Sequence, residues 1–290
     1  MNKRTPAIKR LIRTVLYSFR PTQRGMLWIA LLWRLRGSCL KDELGLIVSA
    51  AIDTLTFTFR PDRAVSPSGR FSALVYSPGL NVGFHIRGGT DDLYNVLPFR
   101  EGDVHDAILD HLKEGDVFVD GGANVGYYSV LGAKKVGPDG RVVAVEPIPE
   151  TIEQLRRNIA ANKLPNVDVI TDAISFRSGQ VLPMHVVGGG FGRGALLDQL
   201  GVGESQSFGV TTTTIDDICK KHNRISLIKL DIEGAEFDAL QGAQATLQKT
   251  DALVIECNQD RDAIMNLLQS SGFVVSELNF TTYILAKRHQ

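Results

Sequence analysis

Val117-Phe118-Val119-Asp120-Gly121-Gly122-Ala123-Asn124-Val125-Gly126-Tyr127-Tyr128-Ser129 is the stretch on which the reading of this chain turns. Strand-forming residues run into a glycine turn, and apolar residues at helical spacing (Tyr127, Val130, Leu131) follow. The stretch therefore predicts a strand handing over to a helix. Gly121, Gly122 and Gly126 would let backbone approach a ligand closely, and a helix opening near Val125 would aim its first amides above the turn. A nucleotide-like ligand is expected there.

The sign of one charge selects among such ligands. A dinucleotide site wants glycine in place of Ala123 and no acid in place of Asp120, since a pyrophosphate and a carboxylate would face each other with little water between them. S-adenosylmethionine carries an ammonium and a sulfonium and no phosphate, so Asp120 favours it over NAD. Residues 141–145 predict a second buried strand ending in Glu146, the place from which an acid reaches two ribose hydroxyls. A third strand, residues 167–171, ends at Asp172-Ala173, where a carboxylate and an amide would meet an adenine amino group and ring nitrogen. The expected cofactor-binding residues are Asp120, Gly121, Gly122, Asn124, Gly126, Glu146, Asp172 and Ala173.

These motifs resemble those of the FkbM-type S-adenosylmethionine-dependent methyltransferases. The resemblance is carried by Asp120-Gly-Gly-Ala-Asn-Val-Gly126, Val-Ala-Val-Glu146-Pro147, Leu155-x-x-Asn158 and Thr214-Ile-Asp216-Asp. It continues in Ile228-Lys229-Leu-Asp231-Ile-Glu233-Gly234-Ala-Glu236 and Val254-Ile-Glu256, and spans about residues 100 to 286. It implies a class I methyltransferase (Rossmann-like) α/β fold and O-methylation of a sugar, glycan or similar secondary-metabolite hydroxyl. Alternating strands and helices after Asp116 independently predict a mostly parallel sheet, here seven-stranded, closed by an antiparallel C-terminal hairpin. Residues 180–187 are expected as a hairpin arm broken by Pro183, residues 188–209 as a substrate-side lid, and residues 210–214 as an edge strand.

The remainder of the chain divides by charge and character. Its net charge is zero, yet residues 1–50 hold ten Lys or Arg and two acids, +8, leaving −8 for the rest. In residues 1–52, a basic amphipathic helix (Ile8, Leu11, Ile12, Val15, Leu16, Phe19), ended by Pro21, precedes an apolar helix with Trp28, Trp33, Arg34 and Arg36. Residues 1–36 thus suit an anionic membrane surface. Packing on the catalytic domain or a second subunit is the alternative, which leaves a homo-oligomer open. Nucleic acid is not expected, because the aromatics cluster with aliphatics instead of alternating with basic residues. Residues 53–100 predict a small β-rich leading segment with strands at 55–59, 73–76 and 82–86, and residues 101–290 the cofactor-binding domain. Three widely spaced cysteines and no spanning or signal segment predict a cytoplasmic chain, peripheral at the inner membrane face if the anchor reading holds.

Methyl transfer needs an oxygen held in line and a sink for its proton. Asp231 and Glu233, at the carboxyl end of the fourth core strand, are the candidate bases. Asp231 is preferred because the strand end fixes it, and Lys229 on the same strand face neutralises that acid or binds substrate. First-turn acids complementing a helix dipole are the bland reading of Glu233 and Glu236. Asp231, Glu233 and Glu256 offer hard oxygen ligands for Mg²⁺, but no spacing demands a metal and none is expected; His85 and His185 are further candidate bases. Two other classes stay open: a non-catalytic cofactor-binding or scaffold protein, and an NAD-dependent oxidoreductase.

Overall fold

The computed structural model describes residues 20–59, 67–98, 100–187, 194–195, 205–278 and 282–288. The amphipathic segment expected over residues 8–19 lies outside them, as does most of the expected lid. The chain forms two compact units, Met1–Leu97 and Pro98–Gln290.

In the first unit, helices α1 (Arg20–Arg34) and α2 (Leu40–Phe59) are joined through a short strand β1 (Arg36–Gly37), and strands β2 (Ala73–Ser77) and β3 (Val82–Ile86) precede a single turn α3 (Asp92–Asn95). Three antiparallel strands pair in the order β1-β2-β3, and alternate residues of β2 and β3 are buried, the period of a half-covered sheet. Helix α1 buries Arg24, Trp28, Leu31 and Leu35, one stripe at helical spacing. Asp53 of α2 meets that stripe, accepting from Arg24 Nε and from Trp28 Nε1, each at 2.6 Å.

Three expectations are corrected here. Residues 55–59 are helical, and the break expected after residue 52 falls inside α2. The alternation Thr54-Leu-Thr-Phe-Thr-Phe59 mimics a strand, but no glycine or proline interrupts residues 46–60, and the Asp53 contact holds the helix in place. Pro21 stands in the first turn of α1, where its missing amide leaves no helical bond unmade.

In the second unit, α4 (Gly102–His111), β4 (Val117–Gly121), α5 (Tyr127–Val136), β5 (Arg141–Val145), α6 (Pro149–Ala161) and β6 (Val167–Ile170) run in alternation. Four strands and a short helix follow in part as a side sheet: β7 (Ala173–Ile174), β8 (Val181–Val187), β9 (Gly194–Ala195), β10 (Ser205–Thr213) and α7 (Ile215–Cys219). The chain then returns through β11 (Ile225–Leu230), α8 (Glu236–Gln241), α9 (Gln244–Leu247), β12 (Thr250–Glu256), α10 (Arg261–Ser270), β13 (Phe273–Glu277) and β14 (Tyr283–Arg288). The main sheet has seven strands in the order β13-β14-β12-β11-β4-β5-β6. Five are parallel, and β14 runs antiparallel between β12 and β13. This is the class I methyltransferase arrangement. Every residue of β11 is buried, as a central parallel strand covered on both faces requires.

The side sheet departs from expectation. Its order is β7-β10-β8-β9, so β10 is an interior strand and begins at Ser205, not an edge strand beginning at residue 210. Strand β8 continues through Pro183, which pairs with Gly209 of β10. Helices α8 and α9 are separated at Gly242, where an added Cβ would lie 2.6 Å from the Ser175 carbonyl.

Asp53→Ala should lower the stability of the first unit by about 3–5 kcal/mol, because it strands a buried guanidinium and an indole N–H. Urea titration followed by tryptophan fluorescence checks this, since both tryptophans lie in α1.

Candidate active site

After β4 the chain builds outward to β5 and β6 on one side, then returns to build β11 and β12 on the other. The carboxyl ends of β4 and β11 therefore flank the topological switch point, where open α/β sheets bind ligands. Parallel register sets Lys229 of β11 beside Asp120 of β4. Asp231, two residues on, shares the face of Lys229.

Lys229 is 2% exposed. Its Nζ lies 3.6 Å from Asp120 Oδ1, 3.4 Å from Asp231 Oδ2 and 3.5 Å from the Gly122 carbonyl, with the Tyr128 ring centroid at 5.5 Å. Burial by itself would discharge the ammonium, but the charges of Asp231, Asp120 and Glu101 outweigh it and hold the pKa above its ordinary value. Asp120 is fully buried and also accepts from Ser129 Oγ at 2.6 Å. Burial pushes its carboxyl up against the pull of Lys229 and Ser129.

Asp231 accepts from the Tyr283 hydroxyl at 2.7 Å and keeps 20% of its side chain exposed. Burial would raise its pKa, but Lys229 and the Tyr283 hydrogen bond lower it on balance. Glu256, at the end of β12 and paired in register with Tyr283, behaves oppositely. Burial, the Asp231 charge and a hydrogen bond to Asp231 push it up to about 7. The two carboxyls form a coupled pair in which Asp231 is the stronger acid and Glu256 the weaker. Thr282 Oγ1 donates to Glu256 Oε1 at 3.2 Å, and Tyr128 donates to Glu101 Oε2 at 3.0 Å, with Arg100 paired to Glu101 at 2.8 Å.

Glu233, expected beside Asp231, stands exposed in a turn with φ 55°, followed by Gly234 at φ 101°. Glu236 is buried and accepts from the amides of Ile232 and Gly234, so it ties this turn together. His85 lies in β3 of the other unit and His185 in β8. Among the described residues no group of three or more His, Cys, Asp or Glu is gathered as metal ligands would be, Asp231, Glu233 and Glu256 included.

On the cofactor side, Glu146 follows β5 and accepts from the amides of Asn124 at 3.0 Å and Ile148 at 2.9 Å. Burial raises it to about 7, against the pull of those amides. Asn124, at φ 50° in the turn after β4, keeps a buried Oδ1 without a hydrogen-bond partner, and its amide donates to Glu146 at the end of β5. Acceptors of this kind suit the hydroxyls and amino groups of an adenosyl ligand. Asp172 is half-buried after β6, and Ala173 opens β7.

Gly122 and Gly126 are also required by packing: at φ +76° a Cβ on Gly122 would lie 1.9 Å from the Asp231 carbonyl, and at φ +92° one on Gly126 would lie 2.5 Å from Leu155. Asp120 is fully buried and pairs with Lys229. Sequence reasoning missed Arg100, Glu101, Tyr128, Ser129 and Tyr283. Tyr128 and Ser129 adjoin the glycine turn and were legible as neighbours, whereas only sheet pairing brings in Tyr283.

The profile of the Methyltransferase FkbM domain matches residues 120–275, more than half of the chain. The chain belongs to the FkbM methyltransferase family. Its fold and family are those of S-adenosylmethionine-dependent methyltransferases. The methyltransferase is 24% identical over 178 residues to the hexuronic acid methyltransferase AglP of Haloferax volcanii, covering 59% of this chain and 69% of that protein. It is 37% identical over 70 residues to an arsenite methyltransferase of Halobacterium salinarum, 24% of this chain and 16% of that one. The chain thus spans under a fifth of the latter's length. An O-methyltransferase structure from Thermotoga maritima superposes with a TM-score of 0.43 at 15% identity, covering 75% of this chain and 77% of that chain.

Lys229→Met should cost about 3–5 kcal/mol by leaving Asp120 and Asp231 without a counter-charge, and Asp120→Asn in the same chain should recover part of it. Thermal unfolding of the single and double variants measures this coupling.

Proposed function

We propose that this methyltransferase transfers a methyl group to a hydroxyl of a sugar, glycan or similar secondary metabolite, with the Asp231–Glu256 pair as its base. The observation that carries the reading is that pair, placed at the switch point and polarised by Lys229 and Tyr283. The AglP relative, named for hexuronic acid, supports a carbohydrate acceptor.

Bound S-adenosylmethionine supplies an electrophilic methyl group. Glu146 and Asn124 would hold its adenosyl portion, with Asp172 and Ala173 at the next strand end, while the Gly121-Gly122 turn keeps the floor of the site in shape. An acceptor hydroxyl set against Asp231 would pass its proton to the carboxyl pair. Lys229 holds Asp231 ionised in an enclosure that otherwise disfavours charge, and the Tyr283 hydrogen bond fixes its orientation. Glu233 is exposed, and its charge helps to raise the pKa of Glu256. A cofactor-binding scaffold would have no use for this pair, and family membership sets the NAD-dependent reading aside.

Location belongs to the same proposal. Cys39, Cys219 and Cys257 are free thiols, in keeping with the cytoplasm, and no helix of the described residues is long and apolar enough to cross a membrane. An acceptor glycan at the inner membrane face would suit residues 1–36.

Two measurements test the reading. In isothermal titration, S-adenosylhomocysteine should bind the wild type, and Glu146→Ala should weaken it at least about tenfold. With a carbohydrate acceptor found by screening, kcat/KM should step up as pH rises through about 7, because loss of the Glu256 proton makes the already ionised Asp231 the stronger base. Glu256→Gln should remove that step, and Asp231→Asn should lower kcat roughly 10²–10⁴-fold with cofactor affinity unchanged. A pH-independent wild type would overturn the assignment of the base.

A further inference from the structure

We propose that the tip of the α1–α2 hairpin, residues 33–44, docks this protein on an anionic lipid surface. The inference goes beyond the catalytic reading and stands on a different unit of the chain.

The structure redistributes the residues that the sequence offers to a membrane. Trp28 is 2% exposed and donates to Asp53, and Arg24 is buried on the same carboxylate, so neither is available at the surface. Trp33 and Leu40 are instead 76% and 75% exposed, and Leu44 is 51% exposed. They come together because the two helices fold back on one another, with Arg24 and Trp28 meeting Asp53 and only residues 35–39 joining the ends. Arg34, Arg36 and Lys41, all exposed, stand among them.

The tip is a built element. Gly37 N donates to Glu43 Oε2 at 2.5 Å, Ser38 N donates to the Leu74 carbonyl at 2.9 Å, and Leu74 N donates to Asp42 Oδ2 at 3.3 Å. A Cβ on Gly37 would lie 2.1 Å from Glu43 N, so the chain reverses there only with glycine. The two acids of the tip are thereby engaged with donors of the tip itself, Asp42 with Ser38 and Leu74, and Glu43 with Gly37 and Arg36.

A tryptophan and two leucines held out in water beside three basic side chains match an interfacial lipid-binding segment, where apolar groups enter the acyl boundary and cations remain at the headgroups. Charge decides the occupant. The exposed tip presents Arg34, Arg36 and Lys41, while its acids Asp42 and Glu43 are engaged by donors within the first unit, so an anionic surface is favoured over a neutral one. A second copy docking through the same face would bring two such basic ends together.

The test uses the full chain with vesicles of phosphatidylcholine alone or mixed in equal parts with phosphatidylglycerol. The protein should sediment with the mixed vesicles only and be released by high salt. The double variant Trp33→Ser, Leu40→Ser, whose side chains are exposed, should bind roughly tenfold more weakly or worse while its S-adenosylhomocysteine affinity is unchanged. Cys39 is exposed and Cys219 and Cys257 are buried, so an environment-sensitive fluorophore on Cys39 should shift to the blue on binding. The proposal fails if the mixed vesicles leave the protein in solution, if the double variant binds as well as the wild type, or if the Cys39 probe does not respond. It also fails if sedimentation velocity shows a dimer that the double variant dissolves. A wild type that binds S-adenosylhomocysteine but not the mixed vesicles refutes this proposal alone; one that binds the vesicles but not S-adenosylhomocysteine refutes the enzymatic reading alone.

Discussion

A lysine ammonium sealed between two carboxylates is the constraint on which the catalytic unit depends. Removing an ion from water costs several kcal/mol, and a buried cation persists only where opposite charge and hydrogen bonds offset that penalty. Asp120 and Asp231 supply the charge for Lys229, and they do so because β4 and β11 run parallel in one register. The glycine turn is locked to the same feature: Gly122 lends its carbonyl to Lys229, and its missing Cβ leaves room for the Asp231 carbonyl. Sheet order, turn and electrostatics therefore form one arrangement, and a change in any of them disturbs the other two.

From that ion pair follows the asymmetry of the two carboxyls at the mouth of the site. Lys229 and Tyr283 stabilise the charge on Asp231, and the charged Asp231 in turn holds a proton on Glu256. Two acids of similar intrinsic strength are driven apart by their surroundings, which is the condition under which one of them titrates near neutrality. The unit thus places a proton acceptor where open α/β sheets place their ligands, with Glu146 and the Asn124 amide oxygen forming the neighbouring end of the crevice.

The first unit buries an ion pair within its apolar core: the helix pair encloses Arg24 and Asp53 beside Trp28 and Leu31. That ion pair fixes how α1 and α2 register on each other. Other apolar side chains of the same helices stay exposed, Trp33, Leu40 and Leu44 where the helices join and Met26, Ile29 and Leu55 farther along them.

The sequence by itself determined the α/β alternation, the parallel sheet with its closing hairpin, the strand-end positions of Asp120, Glu146 and Asp231, and Lys229 on the face of Asp231. Hydrophobic runs, glycine punctuation and the two-residue period of a strand are local properties, and each is legible within one element. Several readings failed where local pattern competed with distant contacts. The Thr-Leu-Thr-Phe alternation is helical because Asp53 is held across the hairpin, and Trp28 turns inward because Asp53 accepts its proton. Only the tertiary structure decided that Tyr283 and Glu256 join Asp231, that Lys229 is set between Asp120 and Asp231, and that Glu233 stands exposed in a turn. These are properties of neighbouring strands far apart in the chain, and pKa values near neutrality arise from burial and charge proximity, which no single segment contains.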